Sequence, residues 1–256
     1  MPLRRLSTKF PNGYHRVVLS EIDSTNAFAA REIRSFAGPT WILGLRQTAG
    51  RGRRGRAWAD PVGNFAGTLV LPPTDETPDR LAQRSFIAAL GLYDALGTVV
   101  GQAAPFALKW PNDVLLNGAK VAGILLETIP ASGGQLGLAI GIGVNLSHAP
   151  DPAALPADAV VPVSLAGETG VQIGPEDFLN ALAQSYAHFE EQFQTYGFGV
   201  IRTAWLARAA RLGERITART MKTEVTGIFE TIDDQGHLVL STDQGAQSIA
   251  AADVYF

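Results

Sequence analysis

The chain contains no cysteine, which removes disulfides, thiolate metal sites, iron–sulfur ligation and cysteine nucleophiles by inventory. It also lacks any apolar run near the roughly 18 residues of a membrane-spanning helix. The nearest, VAGILLETI, has Glu127 inside it, so membrane insertion is not expected. The opening residues, MPLRRLSTKFPNGYHRVVLSEIDSTN, carry basic residues without the apolar stretch of about 7–15 residues that a signal peptide needs; a cytoplasmic location is the expectation. Charge is sparse, at 18% against 46% hydrophobic residues, a balance unlike the charge-rich, apolar-poor composition of disordered chains. No internal repeat or low-complexity tract is visible. The 256 residues are enough for one large domain, or one domain and a small appendage, with a well-buried core.

Local patterns divide the chain into strands and helices. RVVLSEI (16–22) reads as a strand, and DSTNAFAAREIRSF (23–36) as a helix with Asp23 or Ser24 at its N-cap. TWILGLR (40–46) and GTLVLP (67–72) read as apolar strands, the second ended by Pro72 and Pro73. Asp79 to about Val100 carries Leu81, Ala88, Leu92 and Leu96 at near-helical spacing and predicts one packed helix. FALKW, DVLLNGAKVAGILLETI and QLGLAIGIGVNL predict a sheet core, with Asn117-Gly118 as a two-residue hairpin turn. The proline- and alanine-rich stretch 147–170 reads as an irregular connection and the least ordered part of the chain. A helix opened by Pro175 follows, with Phe178, Leu182, Tyr186, Phe189 and Phe193 on one stripe, then a shorter helix ending at Gly213. Beyond Gly213 four short alternating segments, ERITARTM, KTEVTGIFETID, GHLVLST and SIAAADVYF, read as a small β-barrel.

One segment concentrates charge. RQTAGRGRRGRAW (46–58) holds five arginines and three glycines, while the whole chain has a formal net charge of -3. Glycines 50, 52 and 55 let backbone N–H groups approach an anion, and arginines 51, 53, 54 and 56 offer paired donors to phosphate or carboxylate oxygens. A solvated basic turn and an RNA-binding Arg/Gly segment are the competing readings. The apolar strands on either side favour a structured ligand loop, and acidic residues outnumber basic ones elsewhere, leaving no nucleic-acid track.

Three further stretches carry chemistry. In KWPNDVLLNGAK (109–120), Lys109 and Trp110 end a strand, Pro111 fixes a turn, and Asn112 and Asp113 present an amide and a carboxylate at its tip before Lys120 begins the partner strand. An ordinary β-turn explains these residues when they are taken alone. GIGVN (141–145) ends a strand with small residues and offers the Asn145 amide. Ser24-Thr25-Asn26 stands at a strand-to-helix turn, as a plain N-cap or as a group of donors aimed at a ligand.

Taken in order, Asp23-Ser24-Thr25-Asn26, Gln47 with Gly50-Arg51-Gly52-Arg53-Arg54-Gly55-Arg56 and Trp58, Lys109-Trp110-Pro111-Asn112-Asp113, Lys120 with Gly123, and Gly141-Ile142-Gly143-Val144-Asn145 closely resemble the biotin–protein ligase family. The module after Gly213 is similar to that family's SH3-like C-terminal domain. The resemblance implies an α+β fold: a catalytic domain of the biotin/lipoate ligase type, related to class II aminoacyl-tRNA synthetases, at residues 1–211, and an SH3-like β-barrel at 212–256. It implies two steps. The biotin carboxylate attacks the α-phosphate of ATP to give biotinyl-5′-AMP, and a lysine of a biotin carboxyl carrier protein then attacks that anhydride. Ser24, Thr25, Asn26, Gln47, Gly50, Arg51, Arg53, Gly55, Lys120 and Gly123 would bind biotin or the adenylate, and Trp58 and Asn145 would lie near its nucleotide part. Arg53, Lys109, Asp113 and Lys120 are the catalytic candidates, Lys109 facing phosphate and Asp113 helping the acceptor lysine lose its proton. Magnesium would accompany ATP, held largely by phosphates and water rather than by a protein cage.

Some family members carry an N-terminal helix-turn-helix domain; here the first catalytic strand begins near residue 16, so no DNA binding is expected. A homodimer is compatible with the resemblance. The rival enzyme is a lipoate or octanoate ligase of the same superfamily, against which the Arg/Gly loop with Trp58 favours biotin. The rival from another class is an RNA-binding module.

Overall fold

Residues with small side chains alternate with large apolar ones along the central strands, and that alternation decides what each face of the sheet can do. The computed structural model describes residues 10–58, 61–101, 104–151, 153, 160–220 and 222–255. Seven strands, β1 (His15–Leu19), β2 (Thr40–Gly44), β3 (Phe65–Thr74), β4 (Phe106–Lys109), β5 (Asp113–Leu116), β6 (Ala119–Pro130) and β7 (Leu136–Val144), form one sheet in the order β1-β2-β3-β7-β6-β5-β4. The β1–β2 pair is parallel and the remaining pairs are antiparallel.

The register places Trp41, Leu43, Phe65, Leu69, Ile124, Ile140 and Ile142 on one face. All are buried in the main core, beneath α3 (Arg84–Val100), α5 (Pro175–Tyr196) and α6 (Phe198–Leu206). The opposite face carries Gly44, Ala66, Thr68, Gly141, Gly143 and Gly123. Helix α1 (Thr25–Glu32) covers part of it, packing Ala29 on Ile42, Val70, Ile129 and Ala139 in a smaller core. The rest of that face is left open by its glycines.

Several elements depart from the sequence reading. Strand β3 runs through Pro72 and Pro73 to Thr74, its pairing with β7 shifting between Leu71 and Thr74. Proline is tolerated there because a bulge asks for no ladder N–H. The helix expected from Asp79 breaks at Gln83 into α2 (Pro78–Ala82) and α3, with Thr77 capping the first through Arg80 N–H. The short helix predicted to reach Gly213 ends at Leu206, where the following turn sends Arg208 and Ala210 to pair with Leu108 on β4. In the connection 147–170, residues 152 and 154–159 lie outside the described ones. Its described part includes α4 (Leu165–Thr169), capped by Ser164, and a Val161–Val163 stretch hydrogen-bonded to Lys120.

The C-terminal module is a five-stranded antiparallel sheet of β8 (Arg215–Arg219), β9 (Glu224–Ile232), β10 (Leu238–Thr242), β11 (Gly245–Ile249) and β12 (Asp253–Tyr255), in the order β11-β10-β9-β8-β12, consistent with an SH3-like module. The last predicted segment is thus two strands, since β11 pairs with β10 while β12 crosses to β8. That crossing carries the chain end back to the open face of the large sheet.

Candidate functional site

A cavity of about 540 Å³ opens on the glycine-bearing face. Its floor exists because β6 and β7 pair Gly123 with Gly143 and Leu125 with Gly141. A methyl group at Gly141 would collide with the Asn26 amide, and one at Gly143 with the Trp58 ring. Both positions must be glycine for α1 and the arginine loop to approach so closely.

The polar end is built by the strand-to-helix turn. Asp23 accepts the Ser24 N–H at 2.8 Å and two hydrogen bonds from Arg31; the Arg31 bonds, with that N–H, hold the Asp23 carboxyl down at about 2. Ser24 caps α1. Thr25 N–H donates to Gln47 Oε1 at 2.9 Å, and Asn26 Nδ2 donates to Glu127 Oε2 at 2.7 Å. Ser24, Thr25 and Asn26 are each 4% exposed, so the cavity wall they form with Gln47 is uncharged and held in place by hydrogen bonds.

The arginine loop is a small hairpin. Its base hangs from the turn by Thr48 N–H to Ile22 O and Ala49 N–H to Asp23 O. Its arms are joined by Trp58 N–H to Gly50 O and Gly52 N–H to Arg56 O, and Arg54 and Gly55 turn the tip with positive φ. Three of its arginines converge on the C-terminal module: Arg54 and Arg56 reach Asp253 Oδ2 at 2.6 and 3.1 Å, and Arg53 lies 3.5 Å from Asp253 Oδ1. Arg53 also donates to Asn112 Oδ1 at 3.3 Å. Burial works against the Arg53 charge, and Asp253 and Asp113 favour it.

The KWPND turn supplies the third wall. Asn112 exchanges hydrogen bonds with Ile124, through its side-chain N–H to Ile124 O at 2.6 Å and its carbonyl to Ile124 N–H. Trp110 Nε1 donates to Gly236 O of the C-terminal module at 3.1 Å. The β4–β5 register sets Lys109 opposite Asp113, and Lys120 Nζ stands 2.6 Å from Asp113 Oδ1. Lys109 is only 8% exposed; burial lowers its pKa, opposed chiefly by Asp113. Trp58 covers Gly143 and Gly123, with Lys120 Nζ 5.7 Å from its ring centroid.

Among the described residues, Arg51, Arg53, Arg56, Lys109 and Lys120 therefore face the cavity against only Asp113 and Asp253. That excess of cation, beside a neutral polar end, suits a ligand with an uncharged head and an anionic tail, together with a polyphosphate. Buried Trp58 Nε1 and Asn145 Oδ1 have no hydrogen-bond partner among the described residues, an unusual state for buried polar atoms that a ligand would relieve.

Of the residues singled out from sequence, Ser24, Thr25, Asn26, Gln47, Arg51, Arg53, Trp58, Lys109, Asp113, Lys120, Gly123 and Asn145 all line this cavity. Gly50 and Gly55 do not: Gly50 sits against Trp58 O, and Gly55 stands at the exposed loop tip, so both shape the loop. Asp253 and Asn112 also line the cavity, and Glu127 and Thr68 hydrogen-bond to its wall; the sequence reading assigns none of the four a binding or catalytic role. The turn containing Asn112 was a visible signal; nothing marks the other three in the sequence.

A model of the biotin/lipoate A/B protein ligase family matches residues 18–145, and a model of the biotin protein ligase C-terminal domain matches residues 212–256. The chain is 56% identical over 239 residues to a biotin–[acetyl-CoA-carboxylase] ligase of Paracoccus denitrificans, covering 93% of this chain and 99% of that one. It is 29% identical over 245 residues to the bifunctional ligase/repressor BirA of Bacillus subtilis, covering 94% of this chain and 74% of that one. Among solved structures, it is similar to a biotin protein ligase from Aquifex aeolicus in complex with biotin and ATP, with a TM-score of 0.78, 25% identity, and coverage of 94% and 98%.

Proposed function

The chain belongs to the biotin–protein ligase family, and from that premise we propose how its cavity carries the reaction. The protein is an ATP-dependent ligase that activates biotin as biotinyl-5′-AMP and transfers it to a protein lysine. The observation that carries the assignment of parts is the division of one cavity into a neutral, hydrogen-bonded end and a cationic middle.

Biotin has an uncharged cyclic urea at one end and a carboxylate at the other. The urea belongs at Ser24, Thr25, Asn26 and Gln47, which leaves the carboxylate among Arg51, Arg53 and Lys120. The adenine would lie against Trp58, with Asn145 Oδ1 as acceptor for its exocyclic amine. Lys109 and Arg53 would hold phosphate oxygens. Two anions repel, so attack requires that their charge be neutralised while they are held in line. A carboxylate oxygen then bonds to the α-phosphorus as its bond to the bridging oxygen breaks, releasing pyrophosphate. Arg53, Arg54 and Arg56, tethered to Asp253, would keep the loop and the C-terminal module closed over the adenylate and exclude water.

In the second step an acceptor amine, with a reference pKa of about 10.4, must lose a proton as it attacks the acyl carbon and expels AMP. Asp113 would take that proton. It is paired with Lys120 here; movement of Lys120 onto the substrate anion frees the carboxylate for this role. The acceptor is a carboxyl carrier domain of a biotin-dependent carboxylase. Magnesium would enter with ATP: the carboxylates facing the cavity, Asp113 and Asp253, are already engaged by Lys120 and the loop arginines, which fits a cation held mainly by phosphate and water.

The test is pyrophosphate release from ATP with biotin or lipoate supplied in turn, followed by transfer to a carrier domain. Biotin-dependent release is expected; release with lipoate and not with biotin would overturn the assignment. Asp113→Asn should slow transfer more than adenylation, and equal loss of both half-reactions would contradict the proton role.

A further inference from the structure

Glu127 belongs to none of the motifs above, yet it faces the same side of the sheet as Gly123 and Leu125 on β6 and touches both parts of the cavity that must meet. One oxygen accepts from Asn26 Nδ2 at 2.7 Å; the other lies 3.6 Å from Arg51 of the loop. The carboxylate can only accept, and with the Leu125 carbonyl, 3.4 Å from the same Nδ2, it fixes which way the Asn26 amide points, Glu127 making the shorter contact. Asn26 Oδ1 must then face Thr68, whose hydroxyl donates to it at 2.6 Å.

The consequence is a shortage of protons further along. Thr68 Oγ1 is also 2.8 Å from Thr25 Oγ1, and Thr25 Oγ1 is 3.1 Å from Gln47 Oε1. Three oxygen–oxygen contacts are thus served by two hydroxyl protons, and Gln47 Oε1 is fixed as an acceptor by the Thr25 N–H. Thr68 is fully buried and Thr25 and Asn26 nearly so, so water has little access to repair the deficit. The chain is therefore rich in acceptors where Thr25 and Gln47 reach the cavity, and a ligand that brings N–H donors completes it.

We propose that Glu127 is a positioning and specificity residue: it orients the Asn26–Thr68–Thr25 chain so that the cavity selects a head group bearing N–H donors, and it holds Arg51 over the same place. A cyclic urea has such donors and a dithiolane ring has none, so an acceptor chain oriented in this way favours the urea. The inference rests on the reading that the neutral end takes the biotin urea.

The test is calorimetric binding of biotin and of dethiobiotin, which keeps the urea but lacks the thioether, to the full chain and to Glu127→Ala, Glu127→Gln and Thr68→Val, with the KM for ATP measured alongside. Loss of an acceptor that orients a buried chain predicts an affinity loss of about tenfold to a hundredfold in Glu127→Ala, equal for both ligands. Glu127→Gln should lose less, because its carbonyl can still accept from Asn26, and Thr68→Val should resemble Glu127→Ala. The KM for ATP should stay within about twofold of its original value, since no phosphate contact is removed. Unchanged biotin affinity in Glu127→Ala and Thr68→Val would overturn the proposal, as would a matching loss of ATP affinity in Glu127→Gln. A wild-type protein that binds lipoate and not biotin would instead sink the reading on which the inference rests.

Discussion

The two faces of the seven-stranded sheet are made by the same strands and do opposite work. In Gly141-Ile142-Gly143-Val144, the isoleucine and valine point into a core shared with α3 and α5, while the glycines floor the ligand cavity. One face gains stability by filling space and the other gains function by leaving it empty. The alternation means that adjacent residues along β7 should have separable effects, one on folding and the other on binding.

The largest expected effect lies on the filled face. Ile140→Ala removes a fully buried core side chain that does not line the cavity and should cost about 2–5 kcal/mol of stability, with biotin affinity retained below the melting transition; thermal melts and calorimetry on one preparation check both. On the open face, Gly143→Val drives a side chain into the Trp58 ring and should lower adenylation on the order of a hundredfold by displacing a positioned group, while the melt stays close to wild type. Similar losses of stability in the two variants would break the comparison.

Arg53→Ala tests the charge above the open face. A charge-assisted contact is worth about 1.5–3 kcal/mol, so retention of the adenylate should fall by roughly one to two powers of ten, read as AMP and free biotin released without acceptor. The smallest effect is in pH. Burial lowers the Lys109 pKa, so its charge is lost on raising pH before an ordinary lysine would lose its own. Phosphate favours the charged form, so the KM for ATP should be flat below the free-enzyme pKa and rise above it by a few-fold per unit. In Lys109→Arg that rise should vanish, because arginine keeps its charge; an identical profile would remove Lys109 from the phosphate site.

The same contrast explains what was legible in the sequence. Asn117-Gly118 announces its hairpin through a left-handed turn that few residues tolerate, and both residues take positive φ. The arginine loop and the KWPND turn were visible because their residue types are costly where nothing binds. Period-two alternation exposed GIGVN, although which face would be empty depended on partners far along the chain. Thr68 and Glu127 were not legible: each is a polar residue within a mostly apolar strand, and its meaning comes from partners on α1 far along the chain. Asp253 was hidden for the same reason, since only the crossing of β12 to β8 brings it to the arginines. Pro72 and Pro73 misled because a bulge cannot be read from one strand.

The most direct test of the division between the faces is hydrogen–deuterium exchange on the wild-type chain, alone and with biotin, ATP and magnesium. Added protection should be confined to the segments bounding the open face, 24–26, 47–58, 109–113, 141–145 and 250–255, with α3 and α5 unchanged. Protection centred on α3 and α5, with the arginine loop and the C-terminal strand unaffected, would contradict the account.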